Sequence, residues 1–177
     1  MTIRLLEYGE YEANARKDPQ WRSYVERWGY HAKAIEIIRG LDISGPDAVL
    51  EIGSFGAGLV HGSNRMDLPD GAWPPPDPHR QIWHDAREIP WPFGDDQFEL
   101  LIALRVWHHL SPVQKSSFRE AQRIARRLLI VCPEREVVGV GIHRKKFIAW
   151  GGQPAMEEDL GAWGKLYLFG DGNAEMV

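Results

Sequence analysis

Residues Val49 to Gly58 read Val-Leu-Glu-Ile-Gly-Ser-Phe-Gly-Ala-Gly, and no other stretch restricts the fold so narrowly. A short apolar strand carries one acid and then breaks into a glycine-rich loop whose bare backbone a ligand can approach closely. A strand that is apolar on both faces belongs inside a parallel sheet covered on both sides. Glu51 is the exception in that strand. A buried carboxylate is costly without donors, so Glu51 is expected to meet N–H groups from a ligand or from the amides of its own loop.

The segments that follow repeat the pattern of a strand ending in a polar group. Arg65 to Leu68 contains Asp67, sixteen positions after Glu51, where a doubly wound nucleotide-binding unit sets a carboxylate against ribose hydroxyls. Gln81 to Trp83 leads into His84-Asp85-Ala86, and Phe98 to Leu104 leads into Arg105. Ser111-Pro112 then reads as the cap of a helix carrying Val113, Ser117, Phe118, Ala121, Ile124 and Ala125 on one side, before a fifth strand over Leu128 to Cys132. Alternating strands and helices predict an α/β fold with a mostly parallel sheet. Such sheets bind ligands at the carboxyl ends of their strands, which is where Glu51, Asp67, Asp85 and Arg105 fall.

The two ends of the chain are less regular. Asp18-Pro19 and Gly40 bracket a predicted helix with Trp21, Tyr24, Val25, Trp28, Ala32, Ile35 and Ile38 on one face, and the segment around Tyr8 and Tyr11 reads as a shorter helix or flap. Four prolines between Trp73 and Pro78 exclude a helix there. Arg144-Lys145-Lys146 reads as a solvated basic face. A short helix over Ala155 to Trp163 is expected, then strands at Lys165 to Phe169 and Asn173 to Val177 joined through Gly170-Asp171-Gly172 as a hairpin. Residues 1–177 are read as one domain, with 1–44 as a helical region packing on it; 177 residues at 44% hydrophobic content suffice for one core.

Charge narrows the partners. Twenty-one basic against twenty-five acidic residues give a net charge of −4, which argues against nucleic acid, and no apolar run reaches the length of a membrane span. A cytoplasmic protein acting on a small-molecule substrate is expected, and self-association into a homo-oligomer is compatible with this surface. The single cysteine, Cys132, ends an apolar strand and reads as a small core residue.

The ordered set of Val49-Leu50-Glu51-Ile52-Gly53 with its loop, Asp67, Asp85-Ala86 followed by Ile89-Pro90-Trp91-Pro92-Phe93, Phe98 to Ala103, and Val106-Trp107-His108-His109-Leu110 resembles the class I S-adenosylmethionine-dependent methyltransferases. The likeness runs from Val49 to the C-terminus and is closest to a small variant in which the second strand follows the loop quickly. It implies a Rossmann-like three-layer fold whose mostly parallel seven-stranded sheet ends in an antiparallel hairpin. It also implies S-adenosylmethionine as cofactor. The loop residues Gly53, Ser54, Phe55, Gly56 and Gly58 would pass close to its methionine and ribose part, with Glu51 organising that loop or meeting the amino group. Asp67 would accept hydrogen bonds from the ribose hydroxyls, Asp85 and the Ala86 backbone would meet the adenine, and Leu104, Arg105 and Val106 would line the pocket below the sulfonium.

The loop departs from the family's acid-x-Gly-x-Gly-x-Gly spacing, with Phe55 and Ala57 at the second and third glycine positions. A non-catalytic binding or assembly module on the same fold therefore stands as the alternative to an enzyme. Its Gly-x-x-Gly-x-Gly order also differs from the Gly-x-Gly-x-x-Gly of nicotinamide-dependent oxidoreductases. His108 and His109 are the candidate bases for an acceptor that must lose a proton; as neighbours at a strand-to-helix corner they are expected to point in different directions. No histidine spacing suits a metal, so no metal is expected. Trp73, Trp91, Trp107 and Trp150 could wall an acceptor pocket.

Overall fold

The computed structural model describes residues 3–17, 25–54, 58–68, 80–134 and 141–170. Among them, strands β1 (Val49–Ile52), β2 (Asn64–Asp67), β3 (Gln81–Trp83), β4 (Phe98–Leu104), β5 (Ala125–Cys132), β6 (Met156–Asp159) and β7 (Lys165–Phe169) form one seven-stranded sheet in the order β3-β2-β1-β4-β5-β7-β6. β1 to β5 are parallel to their neighbours, with Glu51 of β1 between Arg65 of β2 and Ile102 of β4. β7 runs antiparallel to β5, and β6 antiparallel to β7.

Period-two alternation divides the strand residues between two apolar layers. On one face Leu101, Ala103, Leu128, Ile130 and Tyr167 pack with Phe118 and Ala121 of helix α3 (Gln114–Ile124) and Phe147 of helix α4 (Arg144–Gly151). On the other, Leu100, Ile102, Leu129, Val131 and Leu166 pack with Tyr11 of helix α1 (Tyr8–Lys17) and with Tyr30, Ala34 and Ile38 of helix α2 (Trp28–Arg39). Each of the leucine, isoleucine, valine and phenylalanine side chains among them contributes about 1.5–3 kcal/mol by leaving water. The result is the expected three-layer, Rossmann-like architecture. Cys132 is buried, and burial pushes its thiol up to about 12. No helix among the described residues is long and apolar enough to cross a membrane.

The N-terminal helix differs from its predicted face. Gly40 ends α2 as expected, but the buried arc is Tyr30, His31, Ala34, Ile35, Ile37 and Ile38, while Trp28 and Ala32 are only half-buried. The reason is α1, which covers a second side of α2: Tyr11 sits 5.3 Å from the Trp28 ring and 4.6 Å from the His31 ring. The predicted start at Asp18-Pro19, the proline segment from Trp73 to Pro78 and the strand from Asn173 to Val177 lie outside the described residues.

Three further expectations are corrected. Ser111 does not cap α3; it follows a 3-10 turn over Trp107–Leu110, and α3 begins at Gln114 with Val113 at its N-cap and no side-chain cap bond. β5 begins at Ala125, three residues before the predicted Leu128, directly after α3. Met156–Asp159 is a strand and not part of a helix, so the terminal hairpin is β6–β7, turned through Leu160 to Gly164. Pairing with β7 overrides the helical preference of Met-Glu-Glu-Asp. Glu157 adds side-chain anchors, accepting from Arg144 Nε at 2.7 Å and Lys165 Nζ at 2.9 Å. Arg144 is thus held by an ion pair, at the start of α4, and is not merely one charge of a solvated face.

Candidate functional site

A cavity of about 560 Å³ opens at the carboxyl ends of β1, β2 and β4, beneath α1 and α2. Its floor comes from the strand ends and the loops that leave them, its roof from the two N-terminal helices. This is the position a parallel sheet reserves for ligands, and the volume is within the range of cofactor sites.

Glu51 lies at the floor and is 2% exposed. Its carboxylate accepts the backbone N–H of Leu59 at 2.6 Å, that of Val60 at 2.9 Å, and the Ser63 hydroxyl at 2.7 Å. Burial pushes its carboxyl up, and Arg65 with these three donors opposes that shift. Of the two expected sources of donors, the loop amides are the ones that bind it. Glu51 thereby anchors the far end of the glycine loop.

Gly53 follows at φ +64°, in the left-handed region that favours glycine. Its N–H donates to Met66 O at 3.0 Å, and a Cβ there would stand 2.5 Å from Val106 Cγ2. Ser54 lines the same wall, its hydroxyl 3.5 Å from Asp67 Oδ2. Gly58 lies away from the cavity: it crosses the Arg65 guanidinium so closely that a Cβ would meet Nη2 at 2.7 Å. Phe55 and Gly56 lie outside the described residues.

Asp67 is 6% exposed at the end of β2, accepts Gln81 Nε2 at 3.1 Å, and lines the cavity. Asp85 and Ala86 line it from the segment after β3. The Arg87 guanidinium grips both Asp85 oxygens, Nε donating to Oδ1 at 3.0 Å and Nη2 to Oδ2 at 2.6 Å, and holds the Asp85 carboxyl below the usual range. Leu104 and Arg105 complete the floor. Arg105 is left-handed at φ +60°, a conformation costing a non-glycine residue about 1 kcal/mol. It is held there by its N–H to Val131 O at 2.7 Å and its Nη1 to Trp163 O at 3.2 Å. That turn sends Val106 over Gly53.

The two histidines are separated by the structure in an unexpected way. Their rings lie against each other, centroids 3.9 Å apart, yet His109 lines the cavity and His108 does not. Burial and the nearby Arg105 lower the His109 pKa. Burial, His109 and Arg105 push His108 down to about 4, and its buried Nδ1 has no hydrogen-bond partner among the described residues.

Sequence reasoning allowed a helix or flap around Tyr8 and Tyr11 but assigned no site residue to the roof. Tyr11, Asn14, Arg27, Tyr30 and His31 all line the cavity. The available signal was His31, an imidazole on the otherwise apolar arc of α2. The tryptophans proposed as a pocket wall are elsewhere: Trp91 and Trp107 are core, Trp150 packs on Phe118 and Phe147, and Trp73 lies outside the described residues.

No protein-family model matches the chain, and no curated protein matches it in sequence. Solved structures do resemble it. A SAM-dependent methyltransferase from Aquifex aeolicus matches with a TM-score of 0.51 and 12% identity, over 93% of this chain and 97% of that one. A complex between the Haloferax volcanii Trm112 methyltransferase activator and a candidate methyltransferase matches with a TM-score of 0.52 and 13% identity, over 91% of this chain and 82% of that one. A candidate methyltransferase from Bacillus halodurans is matched over 59% of this chain at 19% identity and a TM-score of 0.43; the chain spans about half of that structure's length, 54%. The chain therefore has the fold of the S-adenosylmethionine-dependent methyltransferases.

Proposed function

We propose that this chain transfers a methyl group from S-adenosylmethionine to a small-molecule acceptor. The observation that carries the reading is the meeting of Gly53 and Asp67 on one wall of the cavity, at the carboxyl ends of adjacent parallel strands. Gly53 brings bare backbone to that wall, the place of a side chain being taken by Val106, and Asp67 is a nearly buried carboxylate on the same wall. The donor set suits this cofactor. Asp67 would accept the ribose hydroxyls, and Gly53 and Ser54 would follow the methionine part. Glu51 would act through its bonds to Leu59 and Val60, fixing the loop. Asp85 and Ala86 would meet the adenine edge, and Leu104 and Arg105 the floor beneath the sulfur.

When bound, S-adenosylmethionine supplies a methyl group already activated by the sulfonium charge. The protein's contribution is then alignment and exclusion of water. Of the two candidate bases, His109 is the one that faces the cavity. Its lowered pKa keeps it unprotonated at neutral pH, able to take a proton from an acceptor that must lose one. His108 is assigned no contact with substrate.

The alternative is a non-catalytic binding module. The observation in its favour is that both oxygens of Asp85 are already engaged by Arg87. Calorimetric titration with S-adenosylhomocysteine tests the main reading: one molar equivalent should bind, and a silent titration at millimolar ligand rejects it.

A further inference from the structure

The roof of the cavity has a chemistry unlike its floor. The carboxylates that line the cavity, Glu51, Asp67 and Asp85, all come from the sheet side. The helices contribute the Tyr11, Tyr30 and His31 rings, the Asn14 amide and the cationic Arg27. His31 is held rigidly at the centre of this group. Its ring stacks on Tyr30 with centroids 4.4 Å apart and meets Tyr11 at 4.6 Å.

The protonation of that ring follows from its partner. His31 Nδ1 lies 2.9 Å from the Arg27 carbonyl oxygen. A carbonyl oxygen only accepts, so Nδ1 carries the hydrogen. Burial pushes the His31 pKa down to about 4, so at neutral pH Nε2 holds a bare lone pair. Among the described residues the contact given for the ring nitrogens is that of Nδ1. His31 lines the cavity, so Nε2 is the ring nitrogen left to meet a ligand there. A lone pair in a largely apolar, aromatic recess favours a ligand that brings a donor to it and disfavours one that does not.

We propose that His31 Nε2, between the Tyr11 and Tyr30 rings, is the recognition point for the acceptor, a small aromatic compound presenting a ring-borne O–H or N–H. The aromatic lining that Tyr11 and Tyr30 give the roof favours a planar partner. This role as acceptor subsite rests on the methyl-transfer reading; the ligand site itself does not. His31 is a specificity-determining residue here, and no proton is transferred to it.

Phenol and anisole test the proposal, since they share a ring and differ in the donor. Binding is read in the wild-type protein by titration of the imidazole ¹⁵N resonances and by calorimetry. Phenol should bind about fivefold or more tightly than anisole and move the His31 Nε2 resonance as hydrogen-bond formation requires. In His31→Phe the preference should fall to parity, and in His31→Gln, which keeps an acceptor, part of it should return. Equal binding of the two probes, no binding of millimolar phenol, or a preference that survives in His31→Phe each overturns the proposal; the wild-type measurements decide even if a variant fails to fold. S-adenosylhomocysteine titrated into the same sample separates the two readings. Its binding without phenol discrimination removes this subsite alone, whereas phenol discrimination without its binding removes methyl transfer and leaves the subsite.

Discussion

Gly53 and Val106 are in contact across the floor of the cavity, so closely that a Cβ on Gly53 would stand 2.5 Å from Val106 Cγ2. Two separate costs therefore attend Gly53→Ala. The steric one is about 1–3 kcal/mol of overpacking, and the backbone one is about 1 kcal/mol for an L-residue at φ +64°. Urea unfolding should show both in Gly53→Ala. Adding Val106→Ala should recover the steric part and leave the backbone part. Full recovery, or none, would mean that the contact is not what excludes a side chain.

Glu51→Gln tests the loop anchor. The substitution keeps the shape but puts an amide N–H₂ in place of one oxygen, so that either the Leu59 or the Val60 N–H loses its acceptor, and it leaves Arg65 without its buried counter-charge. A loss of about 3 kcal/mol in denaturant unfolding is expected, as for removing one member of a buried pair. A loss below about 1 kcal/mol would show that the bonds are replaceable by water.

Asp67→Asn is aimed at the cofactor. The variant keeps the volume of a nearly buried side chain while removing its charge, so the fold should persist. Calorimetry should give an S-adenosylhomocysteine affinity lower by about tenfold or more. Unchanged affinity would refute the ribose role of Asp67.

Stability should depend on pH through His31. Its folded pKa is about 4 and its unfolded value 6.5, so between these limits the unfolded chain binds more protons and stability rises with pH. The contribution is complete above pH 6.5 and is lost as the pH falls toward 4; at its largest it is about 3 kcal/mol. Glu51, whose pKa is raised, acts in the opposite sense. Subtracting the pH–stability curve of His31→Phe from that of the wild type isolates the His31 term. A difference that is flat from pH 4 to 6.5 would mean that the imidazole is not buried neutral.

Much of the frame was legible because it is local. β3 and β4 match their predicted bounds, and β2 is shifted by one residue. Short apolar runs between turn residues specify buried strands whatever they later pack against. The need of Glu51 for donors was equally legible, because the cost of burying a carboxylate does not depend on the fold. Identifying Ser63 and Arg65 among its partners required the register of β1 against β2.

What only the tertiary structure decided involves contacts between distant segments. Met156–Asp159 has helix-forming residues, and its pairing with β7 makes it a strand. His108 and His109 are adjacent in the chain, and the 3-10 turn after β4 gives the cavity to His109 alone. Tyr11 and His31 are twenty positions apart, and the packing of α1 across α2 brings their rings to 4.6 Å above the strand ends. Strand polarity and hydrophobic period, set by neighbouring residues, determined the sheet and the acids at its edge. The cavity's roof depended on which helix faces which, and that is settled by the collective burial of side chains far apart in sequence.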